Sequence, residues 1–96
     1  MKASRPGMDP FATVDRLSER LGIPAAELDE ADRLLRVARI VEEADRVFGS
    51  GDKANRWLRT AQPMWNDACP LALLDSDAGA QSVSDELTRI EFGDFA

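Results

Sequence analysis

Few side chains in this sequence are suited to catalysis, and their arrangement argues against an enzyme. The 96 residues include no histidine and a single cysteine, Cys69. A serine or cysteine nucleophile would therefore lack a histidine base, and a histidine-ligated or cysteine-based metal site is excluded. Carboxylates are numerous, but none lies in an apolar stretch of the kind that tunes a carboxylic acid for proton transfer. We expect a binding protein without cofactor or metal.

The segment Gly49-Ser50-Gly51-Asp52-Lys53 superficially resembles a phosphate-binding loop. Such a loop has the spacing Gly-x-x-x-x-Gly-Lys-Ser/Thr and follows a strand, and both features are missing here. The segment is better explained as a hinge between a helix that ends at Phe48 and a new helix capped by Asp52. The new helix carries an apolar stripe, in which we expect Trp57 to belong to the core rather than to a contact surface: Ala54, Trp57, Leu58 and Ala61.

The elements before this hinge are also predicted to be helical. Residues 1–8 are polar and are expected to be disordered. Asp9-Pro10 is a helix start, and Gly22 ends that helix. Residues 17–28 have the pattern of a helix-turn-helix, but two core helices joined by a Gly-Ile-Pro turn are the favoured explanation. We therefore treat residues 9–30 as an N-terminal helical segment that is a candidate for dimerisation.

The longest helix is predicted to begin at Asp29 or Asp32 and to end at Phe48. Its charged residues are spaced as i,i+4 pairs, each worth about 0.2–0.5 kcal/mol. The pairs are Asp29–Arg33, Asp32–Arg36 and Glu42–Arg46. Three arginines of this helix could instead form a phosphate-binding row, but their acidic neighbours favour a solvated face: Arg33, Arg36 and Arg39.

The chain after the Trp57 helix is predicted to be a proline-bounded loop followed by a last helix. Met64 and Trp65 in this loop should fold back on the core or contribute to a partner site, because they are costly to expose. Pro70 begins a helical turn that buries two leucines, and Ser76 caps the last helix. Gly79 lies in the first turn of that helix, which suggests close approach of another backbone. The buried stripe is Ala80, Val83, Leu87 and Ile90, and Gly93 ends the helix.

These patterns predict an all-α protein, a small bundle of roughly five helices, because no segment alternates with the period of a strand. The net charge of −6 argues mildly against nucleic acid and anionic membranes as partners. No apolar run is long enough to span a membrane, and no signal peptide is visible. We expect a cytoplasmic protein.

Three motifs in the second half of the chain resemble the toxin-binding domain of the Xre/MbcA/ParS family of bacterial antitoxins. They are VFGSGDKANRWLRT (residues 47–60), PLALLDSDAGAQSV (residues 70–83) and RIEFGDFA (residues 89–96). With the preceding helix they define a domain over residues 31–96. The loop before Pro70 differs from the family pattern, since it lacks glycines and carries Trp65. The N-terminal segment is also shorter than the family's DNA-binding helix-turn-helix.

The resemblance implies an antitoxin of a type II toxin–antitoxin module. Its partner would be a RES-domain toxin that consumes NAD or uses it for ADP-ribosylation. The C-terminal end would occlude the NAD pocket of the toxin, since acidic and aromatic residues suit a pocket that holds a pyrophosphate. The predicted toxin-binding residues are Arg56, Arg59, Arg89, Glu91, Phe92, Gly93, Asp94, Phe95 and Ala96. Among these, Phe92 and Phe95 are the expected anchors, and Asp94 and the terminal carboxylate would pair with toxin arginines.

Two other functions stay open on the sequence. The first is a transcriptional autorepressor that binds operator DNA, with Arg16, Arg20, Arg33, Arg36 and Arg39 as candidate contacts. The second is a self-assembling helical scaffold. As an antitoxin, the chain is expected to form a homodimer or a larger hetero-oligomer with its toxin.

Overall fold

Four α-helices and three short 3₁₀ helices build the fold. In this computed structural model residues 10–93 are described, with side chains from Val14 onward. The predicted disorder of residues 1–8 and the cap at Asp9 lie outside the described residues. The α-helices are α1 (Pro10–Leu21), α2 (Ala31–Phe48), α3 (Gly51–Leu58) and α4 (Asp77–Gly93), and the 3₁₀ helices are Ala25–Leu28, Pro63–Trp65 and Pro70–Asp75.

The all-α prediction is confirmed. Within residues 10–93 the only extended pairing is an isolated bridge between Gln62 and Ala68. The core is apolar and is built mainly from the stripes that helical spacing predicts. Its buried members are Leu17, Leu21, Leu28, Val37, Ile40, Val41, Ala44, Ala54, Leu58, Leu74, Val83 and Leu87. Ala61 of the predicted α3 stripe is an exception, because it lies beyond the end of α3 and is exposed.

The hinge between α2 and α3 is a helix stop followed by a helix cap. Gly49 has φ +68°, and its N–H donates to the carbonyl of Asp45 at 2.8 Å. This left-handed conformation favours glycine and ends α2. Ser50 then caps α3, since its hydroxyl accepts from the N–H of Lys53 at 3.3 Å. The predicted cap at Asp52 is therefore wrong, because the chain is already helical at Gly51 and Asp52 lies in the first turn.

Helix α4 runs parallel to α2. Contacts between the two helices follow the same order along both: Arg36 with Asp77, Glu43 with Ser84, and Arg46 with Glu91. Both helices therefore end at the same side of the bundle. The chain must return along the molecule between them, and α3 and the two 3₁₀ helices that follow it form this connection.

The turn into α4 is a tight corner at Gly79. Ser76 caps the helix, because its hydroxyl accepts from the N–H of Gly79 at 3.0 Å. A Cβ atom placed on Gly79 would lie 1.9 Å from the carbonyl oxygen of Leu73. The predicted close approach of another backbone at Gly79 is confirmed. The absence of a side chain at this position allows α4 to start close to the backbone of Leu73.

No helix in residues 10–93 combines the length and the apolar character that crossing a bilayer requires.

Candidate functional site

The end of the bundle where α2 and α4 terminate carries an exposed aromatic side chain, Phe92, with 67% of its surface accessible. One residue earlier, the carboxylate of Glu91 lies 3.9 Å from the guanidinium of Arg46 at the end of α2. This ion pair links the two helix ends but contributes little stability, because the Arg46 side chain is largely exposed. Gly93 is the last described residue of α4, and the other predicted contact residues of the tail, Asp94 to Ala96, lie outside the described residues.

Three aromatic rings pack against one another beside the hinge that leads from α2 to α3. The ring centroids of Phe48 and Trp57 are 5.6 Å apart, and those of Trp57 and Trp65 are 6.4 Å apart in an edge-to-face arrangement. All three side chains are partly buried against the core and partly open to solvent. We call Phe48, Trp57 and Trp65 the aromatic shelf. Such edge-to-face and tilted pairs contribute about 0.5–1.5 kcal/mol beyond burial.

The shelf confirms part of what the sequence predicts for these residues. Trp65 folds back on the core, as expected, whereas Met64 stays 51% exposed. Trp57 packs against the core but keeps an accessible edge. The sequence did not predict the cluster itself. Trp65 lies in the loop after α3, and the course of a loop cannot be predicted from hydrophobic periodicity.

Helix α3 adds positive charge beside the shelf. The side chains of Lys53 and Arg56 are exposed and line an open groove together with Phe48 and Trp57. Arg59, the other basic residue of this face, reaches back toward the turn at Gly22, where its guanidinium lies about 3.4 Å from the position of a Cβ atom. Among the predicted toxin-binding arginines, Arg56 thus borders the shelf and Arg59 does not. Arg89 is exposed on α4, 3.6 Å from Glu86.

The family model for the Xre/MbcA/ParS C-terminal toxin-binding domain of antitoxins matches residues 43–93, which is more than half of the chain. The chain belongs to the Xre/MbcA/ParS antitoxin family. The matched region runs from the last turns of α2 to the end of α4, so it contains the hinge, the shelf and Phe92. The family is one of antitoxins rather than enzymes, in agreement with the sequence prediction.

Two curated relatives support the assignment to this family. Over 66 residues the chain is 36% identical to an antitoxin Xre of Pseudomonas putida, and the aligned residues cover 69% of this chain and 42% of the relative. It is 33% identical over 66 residues to an antitoxin Xre of Photorhabdus laumondii, covering 68% of this chain and 45% of the relative. The matches therefore span less than half the length of either relative. No solved structure is significantly similar to this family member.

Most of the arginines proposed to contact DNA form hydrogen bonds or ion pairs with other residues of this protein. Arg20 donates from Nη1 to Asp45 Oδ2 at 2.7 Å and from Nε to Asn55 Oδ1 at 2.9 Å. Asn55 in turn donates to the Arg20 carbonyl at 2.9 Å. The hydrogen bond with Asp45 raises the pKa of Arg20, opposed by its partial burial. Arg20 therefore ties α1 to the ends of α2 and α3 and stays charged at neutral pH.

Arg33 and Arg36 are engaged between helices as well. Arg36 is only 12% exposed, and it donates to the carbonyls of Leu74 and Asp75 at 2.9 and 3.0 Å. Arg33 lies 2.9 Å from Asp75 in an ion pair. The predicted solvated face is therefore wrong for these two arginines, and so are the predicted i,i+4 pairs, because Arg33, Arg36 and Arg46 have partners from other elements.

Two of the arginines proposed to contact DNA stay exposed in this family member, Arg16 and Arg39. The element that follows the turn after α1 is a 3₁₀ helix of 4 residues, which is shorter than the recognition helix that enters a major groove. Operator binding and the domain boundary at residue 30 stay predictions.

Proposed function

We propose that this chain is the antitoxin of a type II toxin–antitoxin module and inhibits a RES-domain toxin. The toxin would degrade NAD or transfer ADP-ribose from it, and the C-terminal end of the antitoxin would occlude its NAD pocket. The observation that carries this proposal is the 67% exposure of Phe92 at the end of α4, inside the region that matches the toxin-binding domain.

An exposed phenylalanine gains by insertion into a partner. Burying a phenylalanine side chain is worth about 1.5–3 kcal/mol, and Phe92 leaves most of that gain unused in the free chain. Its neighbours in sequence add carboxylates at Glu91 and Asp94. A pocket that binds the pyrophosphate of NAD with arginines offers both apolar walls and positive charge, so it matches this combination.

The helix that carries Phe92 is held firmly, which lowers the cost of binding. Ser84 donates its hydroxyl to the Glu43 carboxylate at 3.0 Å, and Arg36 contacts Asp77 at 3.3 Å. Both contacts fasten α4 to α2 along its length. Since a rigid presenting element loses little conformational entropy on association, the end of α4 is preorganised for a cleft.

The test is inhibition of NAD consumption by the purified RES-domain toxin that is co-encoded with this chain. Removal of residues 93–96 should abolish inhibition, and Phe92→Ala should raise the inhibition constant by about thirtyfold, the equivalent of an anchor worth about 2 kcal/mol. Leu35→Ala is the matched control, because Leu35 is 61% exposed on α2 outside the region matched by the family model. Undiminished inhibition by the truncated chain would refute occlusion by the C-terminal end.

A further inference from the structure

We propose that the aromatic shelf, together with Lys53 and Arg56, forms a second contact for the toxin. It would receive an apolar side chain of the toxin that is flanked by carboxylates. This inference rests on the proposed function, since it names a further surface for the same partner. It is separate from the C-terminal end in residues and in chemistry.

The aromatic shelf keeps part of its apolar surface exposed to solvent, although the core beneath it is closed. Directly behind it, Ala54 and Leu58 of α3 are completely buried, so the core is already closed at this position. Phe48, Trp57 and Trp65 nevertheless keep accessible edges, and Met64 beside them is 51% exposed. Tryptophan and methionine are enriched at protein–protein interfaces, and tryptophan is among the residues that dominate binding energies. A partner side chain can therefore bury these edges at little cost.

The charge at the shelf points to an acidic partner segment. The chain carries a net charge of −6, yet Lys53 and Arg56 form no ion pair with any residue in the part of the chain that the structure describes. Three other arginines are matched by carboxylates: Arg20, Arg33 and Arg36. The exposed Arg16, Arg39 and Arg59 also form no ion pair among the described residues, but they do not border the apolar groove. Two unmatched cations beside an apolar groove are complementary to carboxylates that flank an apolar residue.

The groove beside the aromatic shelf is small and open to solvent. It encloses about 330 Å³ and is lined by Phe48, Trp57, Lys53 and Arg56 among others, at the lower limit of the ~300–1,000 Å³ of small-molecule sites. The groove also lies at the end of the bundle that carries the proposed interface. Phe48 ends α2 at the side of the bundle where Arg46 meets Glu91, next to Phe92. One partner can therefore cover both surfaces.

The experiment uses the two tryptophans of the chain, because both belong to the shelf. The full chain is labelled with 5-fluorotryptophan and titrated with the purified co-encoded RES-domain toxin, and the two ¹⁹F resonances are assigned with Trp65→Phe. In parallel, the dissociation constant is measured for Lys53→Glu/Arg56→Glu. The control is Arg16→Glu/Arg39→Glu, which changes the net charge equally at exposed arginines elsewhere. Circular dichroism verifies that both variants are folded.

We expect both resonances to shift on binding, and the Lys53→Glu/Arg56→Glu variant to bind at least about tenfold more weakly than the control. If the toxin binds, but the resonances stay in place and the two variants bind equally, the second contact is overturned while the proposed function stands. If the toxin does not bind the unsubstituted chain at all, the proposed function fails and the second contact fails with it.

Discussion

Replacing Gly79 with alanine, in the first turn of α4, has two opposing effects on stability: a gain in helix propensity and a loss from steric overlap. Alanine is favoured over glycine in a helix by about 1 kcal/mol, so propensity alone predicts a more stable protein. The new Cβ would meet the Leu73 carbonyl oxygen at 1.9 Å, and one of them must move by about 1.5 Å to reach the 3.4 Å of ordinary contact. Overpacking costs about 1–3 kcal/mol and occasionally more, and a backbone atom cannot rotate away as a flexible side chain can.

We therefore expect Gly79→Ala to lower the free energy of unfolding by about 2 kcal/mol in total. A domain of this size has about 5–14 kcal/mol available, so the variant still folds and melts about 10 °C lower. Urea unfolding followed by circular dichroism at 222 nm measures the change. The matched control is Gly51→Ala in the first turn of α3, where the nearest atom is the flexible Arg20 Nη2 at 3.6 Å.

Gly51→Ala should leave the free energy of unfolding within about 0.5 kcal/mol of the original value or increase it slightly. A Gly79→Ala variant that is as stable as the original chain would refute the reasoning. It would mean that the corner relaxes freely and that the close contact with Leu73 does not constrain the start of α4.

Two further predictions concern the ends of helices. Arg36→Ala should destabilise the fold by about 2 kcal/mol because it removes charge-assisted hydrogen bonds to two carbonyls. The control Arg39→Ala should change the free energy of unfolding by less than about 0.5 kcal/mol. Equal urea midpoints for the two variants would contradict a stabilising role of Arg36. Gly49→Ala should cost about 1 kcal/mol from backbone strain alone, since nothing lies within 4 Å of the added Cβ at φ +68°. Gly49→Asn should cost less by the same urea assay, because asparagine tolerates this conformation, and equal losses would point to another cause.

Local pattern predicted the helices and their buried faces well. Of the predicted stripe of α4, Val83 and Leu87 are buried as expected, whereas Ala80 and Ile90 are only partly buried. The glycine in the first turn of α4 correctly indicated a close backbone. The buried stripes depend on residues three or four positions apart, which sequence periodicity records directly. The cap of α3 was misassigned because Ser50 and Asp52 are both good caps two residues apart, and only the backbone conformation at Gly51 decides between them.

The partners of the arginines could not be predicted from spacing. Arg36 contacts Leu74, which lies 38 residues further along the chain, whereas its predicted partner was one helical turn away. Local pairs contribute only a few tenths of a kcal/mol, so contacts made by folding override them. The aromatic shelf has the same origin, since Trp65 reaches Trp57 through a loop. The candidate C-terminal residues followed from the resemblance, and the structure describes them only as far as Gly93.

The parallel course of α2 and α4 has a consequence for how this chain is made in the cell. Ser84 meets Glu43 across 41 residues, whereas neighbouring helices in an up-and-down bundle meet across one short loop. Such distant contacts slow folding. During synthesis, the part of α2 that packs against α4 stays uncovered until α4 has left the ribosome, whereas α3 can cover its own part of α2 earlier. Transiently exposed apolar surface of this kind favours aggregation, so this interval is the one in which the nascent chain is most exposed to it.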